Sequence, residues 1–160
     1  MTKSIIKKSD IDAMEGLDKA HFLNADAVRN NKSLGDMTGL SGFGFHIIEI
    51  QPNKWSTEFH RHYFEDECVY VLDGTATAYL GEQQHDIGPG DFIGYPKGGP
   101  AHTIHNSGNT PFRCIVVGER LPQDVADYPN KSKRIFRNKG LEWDLVDLNA
   151  IEHPTGGKKV

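Results

Sequence analysis

Between residues 42 and 118 the chain alternates short apolar, β-branched or aromatic runs with clusters of Gly, Pro, Asn and Asp. FGFHIIEI gives way to QPNKW, ECVYVL to the pair Asp73-Gly74, TATAYL to GEQQ, and QHDI to GPGD. DFIGYP then leads into KGGPAH, HTIHN into SGNTP, and FRCIVVGER ends the series. Runs of this length and composition, punctuated in this way, predict strands joined by tight turns. No part of the stretch keeps an apolar period of 3.6 for a useful length. So many short strands at even spacing predict an all-β fold, an antiparallel barrel or double-sheet jelly roll.

The flanks read differently. Residues 1–41 form a polar N-terminal arm, with a short helix predicted around 24–30 and a Gly-rich approach, LGDMTGLSG. Residues 119–160 form a C-terminal extension that opens with ERLPQDVADYPN and continues through IFRN and LEWDLVDL, which predict further strands or edge-covering segments. The tail HPTGGKKV carries no apolar pattern and is expected to be disordered. There is no internal repeat and no low-complexity linker, so residues 1–160 are read as one domain, long enough to close a hydrophobic core.

Charge and cysteine content narrow the function classes. The 18 basic and 22 acidic residues give a net charge of −4 with no long run of one sign, which argues against nucleic acid as a partner. The apolar runs are too short to span a membrane, and MTKSIIKKSD lacks the apolar stretch of a secretory signal. The only two cysteines, Cys68 and Cys114, each sit in an apolar run; they predict buried, inert thiols and a cytoplasmic protein.

Candidate chemistry concentrates in residues 60–74, HRHYFEDECVYVLDG. His60 and His62 are two apart, so one strand would point both to the same side, whereas Glu67 is out of phase with them. A turn at residues 63–66 resolves the mismatch by resetting the phase, with Glu67 opening the antiparallel neighbour of the histidine strand. A second stretch, GDFIGYPKGGPAHTIHN, places turn signals ahead of His102; if His102 faces inward, a third imidazole joins from a distant part of the chain. Three neutral imidazoles and one carboxylate suit a divalent transition metal, Fe, Mn, Zn, Ni or Co, and leave two positions of an octahedral ion open.

These two stretches resemble the two motifs of the cupin superfamily. The first follows H-x-H, four residues, Glu, six residues, Gly; the second follows Gly, five residues, Pro-x-Gly, a short gap, His, three residues, Asn. The resemblance covers about half of the chain. It implies a double-stranded β-helix (jelly-roll) barrel over residues 42–118 and His60, His62, Glu67 and His102 as metal ligands. Two departures stand out: Lys54 occupies the place where the first motif usually opens with Gly, and three residues rather than two separate Gly98 from His102. The segment ERLPQDVADYP is also similar to one in a group of small bacterial cupins.

Other residues carry weaker signals. Glu58 shares the phase of the two histidines and is the side chain nominated as a base, the alternative being a hydroxide on the ion. Arg61 should face outward, and Thr77 and Tyr79 are read as packing. His105 should point away from His102, and Asn106 should stabilise a turn or strand end. His21, His46, His85 and His153 have no informative spacing.

Three functions remain open on this basis. One is a metal-dependent sugar or sugar-phosphate isomerase or epimerase, although no Gly-rich phosphate loop or Arg pair points to phosphate itself. The second is an Fe(II)-dependent dioxygenase with the same ligands. The third is a non-enzymatic module that binds or senses a small ligand. The expected partners are a small-molecule substrate and a second copy, because an outward face of Cys68, Tyr70 and Leu72 predicts a homodimer.

Overall fold

The computed structural model describes residues 4–157. A short helix, α1 (Lys8–Ala13), precedes the strand pair β1 (Leu17–His21) and β2 (Asn24–Ser33), and α2 (Leu34–Thr38) follows. The barrel runs through β3 (Phe43–Ile50), β4 (Arg61–His62), β5 (Glu67–Asp73), β6 (Ala76–Leu80), β7 (Gln83–Ile87), β8 (Phe92–Tyr95), β9 (His102–His105) and β10 (Phe112–Glu119). The extension adds β11 (Gln123–Tyr128), β12 (Lys133–Asn138) and β13 (Asp144–Asp147). The all-β expectation holds.

One layer is a six-stranded sheet in the order β1-β2-β3-β10-β5-β8; the other strands form a three-stranded sheet, β7-β6-β9, and a four-stranded sheet, β13-β12-β11-β4. Antiparallel bridges Trp55↔His105 and His60↔His102 run the segment before β4 along β9 and so join the two smaller sheets. Strands of both layers contribute to the main core, which includes Ile50, Val71, Ala78, Ile104, Phe112 and Cys114. Burial pushes the Cys114 thiol up to about 12, so it stays protonated and inert, whereas Cys68 is only partly buried on the outward face of β5. On that face Tyr70 pairs with Phe92, and both rings are exposed.

Two expectations are corrected. Residues 24–30 are not helical but belong to β2, paired on one edge with β1 and on the other with β3. Ala27 and Asn31 are buried at positions that alternate along the strand, and the two ladders override a weak local helical signal. The helix lies instead in the Gly-rich approach, as α2, which ends at Gly39 in a left-handed conformation (φ 81°). Residues 153–157 take no regular structure, and the last three residues of the predicted disordered tail lie outside the described residues.

The second correction concerns residues 63–66. They do not form a hairpin, because β4 pairs with β11 whereas β5 pairs with β10 and β8. The segment crosses from one layer to the other. The Tyr63 N–H donates to the Val125 carbonyl at 2.9 Å on the first layer, and Glu119 N–H donates to the Asp66 carbonyl at 3.0 Å on the second. The histidines and Glu67 therefore meet across the interior rather than along one ladder.

Phe112 has no exposed surface and sits at the junction of β10 with β3. Truncating it deletes a ring from a packed interior whose strands cannot easily collapse. Phe112→Ala is expected to lower stability by about 3–5 kcal/mol, read as a shift in urea midpoint at unchanged slope; a loss under about 1 kcal/mol would show that this core is not closely packed.

Candidate metal centre

His60, Glu67 and His102 place one ligand atom each within 4.8 Å of one another. His60 comes from the bridge to β9, Glu67 from the first position of β5, and His102 from the first position of β9. His62 adjoins this group, with its Nε2 3.1 Å from Nε2 of His60. That separation is what two neighbouring ligands at about 2.0–2.1 Å from one ion would show.

The second nitrogen of each ring determines what the first can do. His60 Nδ1 donates to the Glu58 carbonyl at 2.8 Å, His62 Nδ1 to Asp124 Oδ2 at 2.6 Å, and His102 Nδ1 to the Pro100 carbonyl at 3.4 Å. Each acceptor holds the proton on Nδ1, so a neutral ring presents a bare lone pair at Nε2. Burial pulls His60 down to about 3, and the neighbouring His102 and His62 add to that, so its ring stays neutral. Burial alone would raise the Glu67 carboxyl, and positive charge beside it, on His102 first, is what would hold it below the usual carboxylate range. Nε2 of His102 is buried without a hydrogen bond, 3.7 Å from Glu67 Oε1. The His60 and His102 lone pairs and the Glu67 carboxylate face a common point, with the His62 lone pair beside His60, and they repel one another unless a cation sits among them. The donor set fits a divalent transition ion.

His62, Glu65 and Asp124 form a second close group. Arg137 already donates to both carboxylates, and Asp124 also accepts the Phe64 N–H at 3.2 Å. The guanidinium supplies the positive charge there, so this group is a brace behind His62 rather than an ion site. Burial pushes the Asp124 carboxyl up, but the hydrogen bonds from His62 and Arg137 prevail and hold it at about 2. Tyr95 stacks on the His102 ring with centroids 3.7 Å apart and planes 5° from parallel.

A cavity of about 530 Å³ opens over the centre, lined by His60, His62, Glu67 and His102 together with His21, Arg29 and His46 from the N-terminal arm and β3. Its size is ordinary for a small-molecule site.

A protein-family model described as "Cupin domain" matches residues 46–118. A solved structure from Acidithiobacillus ferrooxidans, provisionally called a sugar phosphate isomerase, is 49% identical, covers 96% of this chain and 97% of its own, and superposes with a TM-score of 0.92. The chain belongs to the cupin superfamily. A sugar phosphate isomerase of that superfamily from Silicibacter pomeroyi is 28% identical, with 88% of this chain and 92% of its own covered and a TM-score of 0.80. An uncharacterised protein of Methanocaldococcus jannaschii is 33% identical over 66 residues, 41% of this chain and 52% of its own, so this cupin matches about half of that relative.

The departures from the cupin motifs leave the ligands in place. At the first, Asn53 takes the left-handed turn position (φ 63°) beside Lys54, so no Gly is needed there. At the second, the longer loop still delivers a buried His102, bridged to His60 in both directions by backbone hydrogen bonds of 3.2 and 2.7 Å.

Other expected residues sort themselves out. Glu58 is buried but does not line the cavity; its carboxylate lies 3.9 Å from Lys131 Nζ, and only its carbonyl serves the centre. Arg61 faces Tyr63 and Asp127, and His105 and Tyr79 both pack at a tilt against Trp55. Asn106 ties Ile50 and Thr110 together through their carbonyls. His21 and His46 line the cavity, a placement that no spacing signalled. Asp124 and Arg137 also escaped sequence reasoning, because nothing in ERLPQDVADYP marks one carboxylate as a histidine partner.

Full-length protein made without a His-tag is expected to hold about one divalent transition ion per chain, with His60→Ala and Glu67→Ala both abolishing it. Asp124→Asn, which removes the carboxylate behind His62, should weaken ion affinity by about 10–100-fold. Metal content and competitive chelator titration measure both. Unchanged occupancy in the two ligand variants would refute the centre.

Proposed function

We propose that this cupin is a metal-dependent isomerase or epimerase of a small sugar or sugar phosphate. The observation that carries the reading is the convergence of the His60, Glu67 and His102 donors, with His62 adjoining at His60, at the wall of a cavity of about 530 Å³, which suits a small sugar or sugar phosphate. The 49% identity to a protein provisionally called a sugar phosphate isomerase, over nearly the full length of both chains, supports it.

Isomerisation of an aldose or ketose moves a proton between adjacent carbons while charge develops on the neighbouring oxygen. A divalent ion in the centre would supply the Lewis acid that stabilises this charge. The chain's own residues do the rest. Asp124 and the Glu58 carbonyl fix the ring orientations on which any bound substrate must register. Asn31, Ser56 and Thr103 offer hydroxyl and amide groups along the cavity for sugar hydroxyls. The proton is taken by a group on the cavity wall rather than by Glu58, whose carboxylate is turned toward Lys131. His21 stands on that wall, but its Nδ1 accepts the Leu23 N–H at 3.1 Å, which leaves a neutral ring only an N–H to turn to the cavity and suits it to holding a sugar oxygen.

The test is an NMR screen of the ion-loaded protein against aldose and ketose sugars and their phosphates, run with and without oxygen. Interconversion of an aldose–ketose or epimer pair in the absence of oxygen is the expected result. Turnover only with oxygen uptake would replace this reading with the dioxygenase. A tightly held ligand with no turnover would replace it with a binding module.

A further inference from the structure

Arg29 is a cation without a counterion. It extends from β2, between Ala27 and Asn31, into the wall of the cavity that holds the metal centre. Its Nη1 donates to the Ser56 carbonyl at 2.6 Å, and its Nε is buried without a hydrogen bond. The other two cavity guanidiniums are committed: Arg120 to Asp36 at 2.5 Å, and Arg137 to Glu65 and Asp124. Among the described residues no carboxylate lies within 4.0 Å of Arg29. Burial pulls its guanidinium below the ordinary value, while Glu67 pushes the other way without touching it.

Taking a charge out of water with no partner is costly, and a chain that keeps one without compensation has left the partner to arrive from outside. Nε lies beneath the open surface, so an oxyanion from the cavity meets Arg29 at Nη2, for which the described residues supply no hydrogen bond, and a small turn of the planar guanidinium brings Nε–H alongside to complete a two-bond fork. The need is sharper when an ion occupies the centre. Glu67, the carboxylate that bears on Arg29, is then engaged by the ion, and the cavity gains positive charge.

We propose that Arg29 anchors the anionic end of the substrate, an oxyanion of the phosphate-monoester type, in the cavity shared with the metal centre. This rests on the sugar-phosphate reading for the identity of the substrate, and it makes the arm strand β2 part of the binding site.

The test is calorimetric titration of the ion-loaded full-length protein with inorganic phosphate, and with acetate as the carboxylate probe. Wild type is compared with Arg29→Met and Arg29→Lys. Removing a charged hydrogen-bonding partner should weaken phosphate binding about 10–100-fold in Arg29→Met, with a smaller loss in Arg29→Lys, which keeps the charge without the fork. In phosphate-free buffer Arg29→Met should melt no lower than wild type, because it removes a partly buried charge that has no counterion within contact; a purely structural arginine would give the opposite shift. Equal phosphate affinity in all three proteins overturns the proposal, as does no phosphate binding by wild type. Acetate binding as tight as phosphate overturns the phosphate assignment. If Arg29→Met does not fold, Arg29→Lys decides alone, and unchanged affinity there overturns the anchor. Arg29-dependent phosphate binding without sugar-phosphate turnover would support the anchor and remove only the isomerase reading.

Discussion

The centre depends on mutual repulsion held in check. The His60 and His62 Nε2 atoms face each other at 3.1 Å, and both other ring nitrogens are spent on oxygen acceptors. Two bare lone pairs at that distance repel one another unless a cation lies between them, so each ring would swing away from the other if it were free. The structure prevents this by tying every ring at its back. The ties come from three places: a backbone carbonyl two residues before His60, a backbone carbonyl in the loop before His102, and a carboxylate 62 residues beyond His62. Preorganisation of this kind moves the cost of arranging ligands from ion binding to folding.

The division of labour between barrel and flanks follows from those ties. The region matched by the cupin model, residues 46–118, contains all four candidate ion donors. It does not contain Asp124 or Arg137, which brace His62, and it does not contain Arg29. The brace reaches the donor because β11 pairs directly with β4, setting Ala126 opposite His62, and Arg137 from β12 then locks Asp124 from behind. On the other side, β2 adds to the edge of the main sheet next to β3 and carries Arg29 to the cavity. The flanks therefore orient and charge a centre that the barrel only outlines. Similarity confined to the barrel conveys the donors; the 49% identity that extends over 96% of the chain also takes in the flanks.

The candidate donors were legible from two signals together: a strand's period of two, broken by a turn signal, grouped His60, His62 and Glu67, and the resemblance to both cupin motifs brought in His102. What spacing could not convey was the partner of each strand. The out-of-phase Glu67 is equally consistent with a hairpin and with a crossing between layers, and only the pairing of β4 with β11 rather than β5 decides for the crossing. The same limit hid Asp124 and Arg29. A carboxylate becomes a histidine brace through a contact over 62 residues, and an arginine becomes a cavity cation only once its strand is bound on both edges. The segment around Arg29 also misled locally. NADAVRNNKS has too few β-branched residues to announce a strand, and two flanking ladders, not its own propensity, make it one.

Two unfavourable features of the cavity have opposite electrical needs, and Glu67 stands between them. The imidazole lone pairs call for a cation, while Arg29 calls for an anion. Glu67 answers both in part: it adds negative charge to the donor set and bears on the Arg29 guanidinium from beyond contact distance. It cannot satisfy both at full strength. An ion bound by Glu67 takes up that negative charge, so the guanidinium loses its only carboxylate influence just as the cavity becomes more positive. Binding of a cation at one end therefore strengthens the call for an anion at the other, and by reciprocity the anion strengthens hold of the cation. A molecule carrying metal-binding oxygens at one end and an oxyanion at the other meets both needs at once. On the proposed reading, a neutral sugar meets only the first and leaves Arg29 partly buried and unpaired, which is the physical ground for expecting a phosphorylated substrate over a plain one.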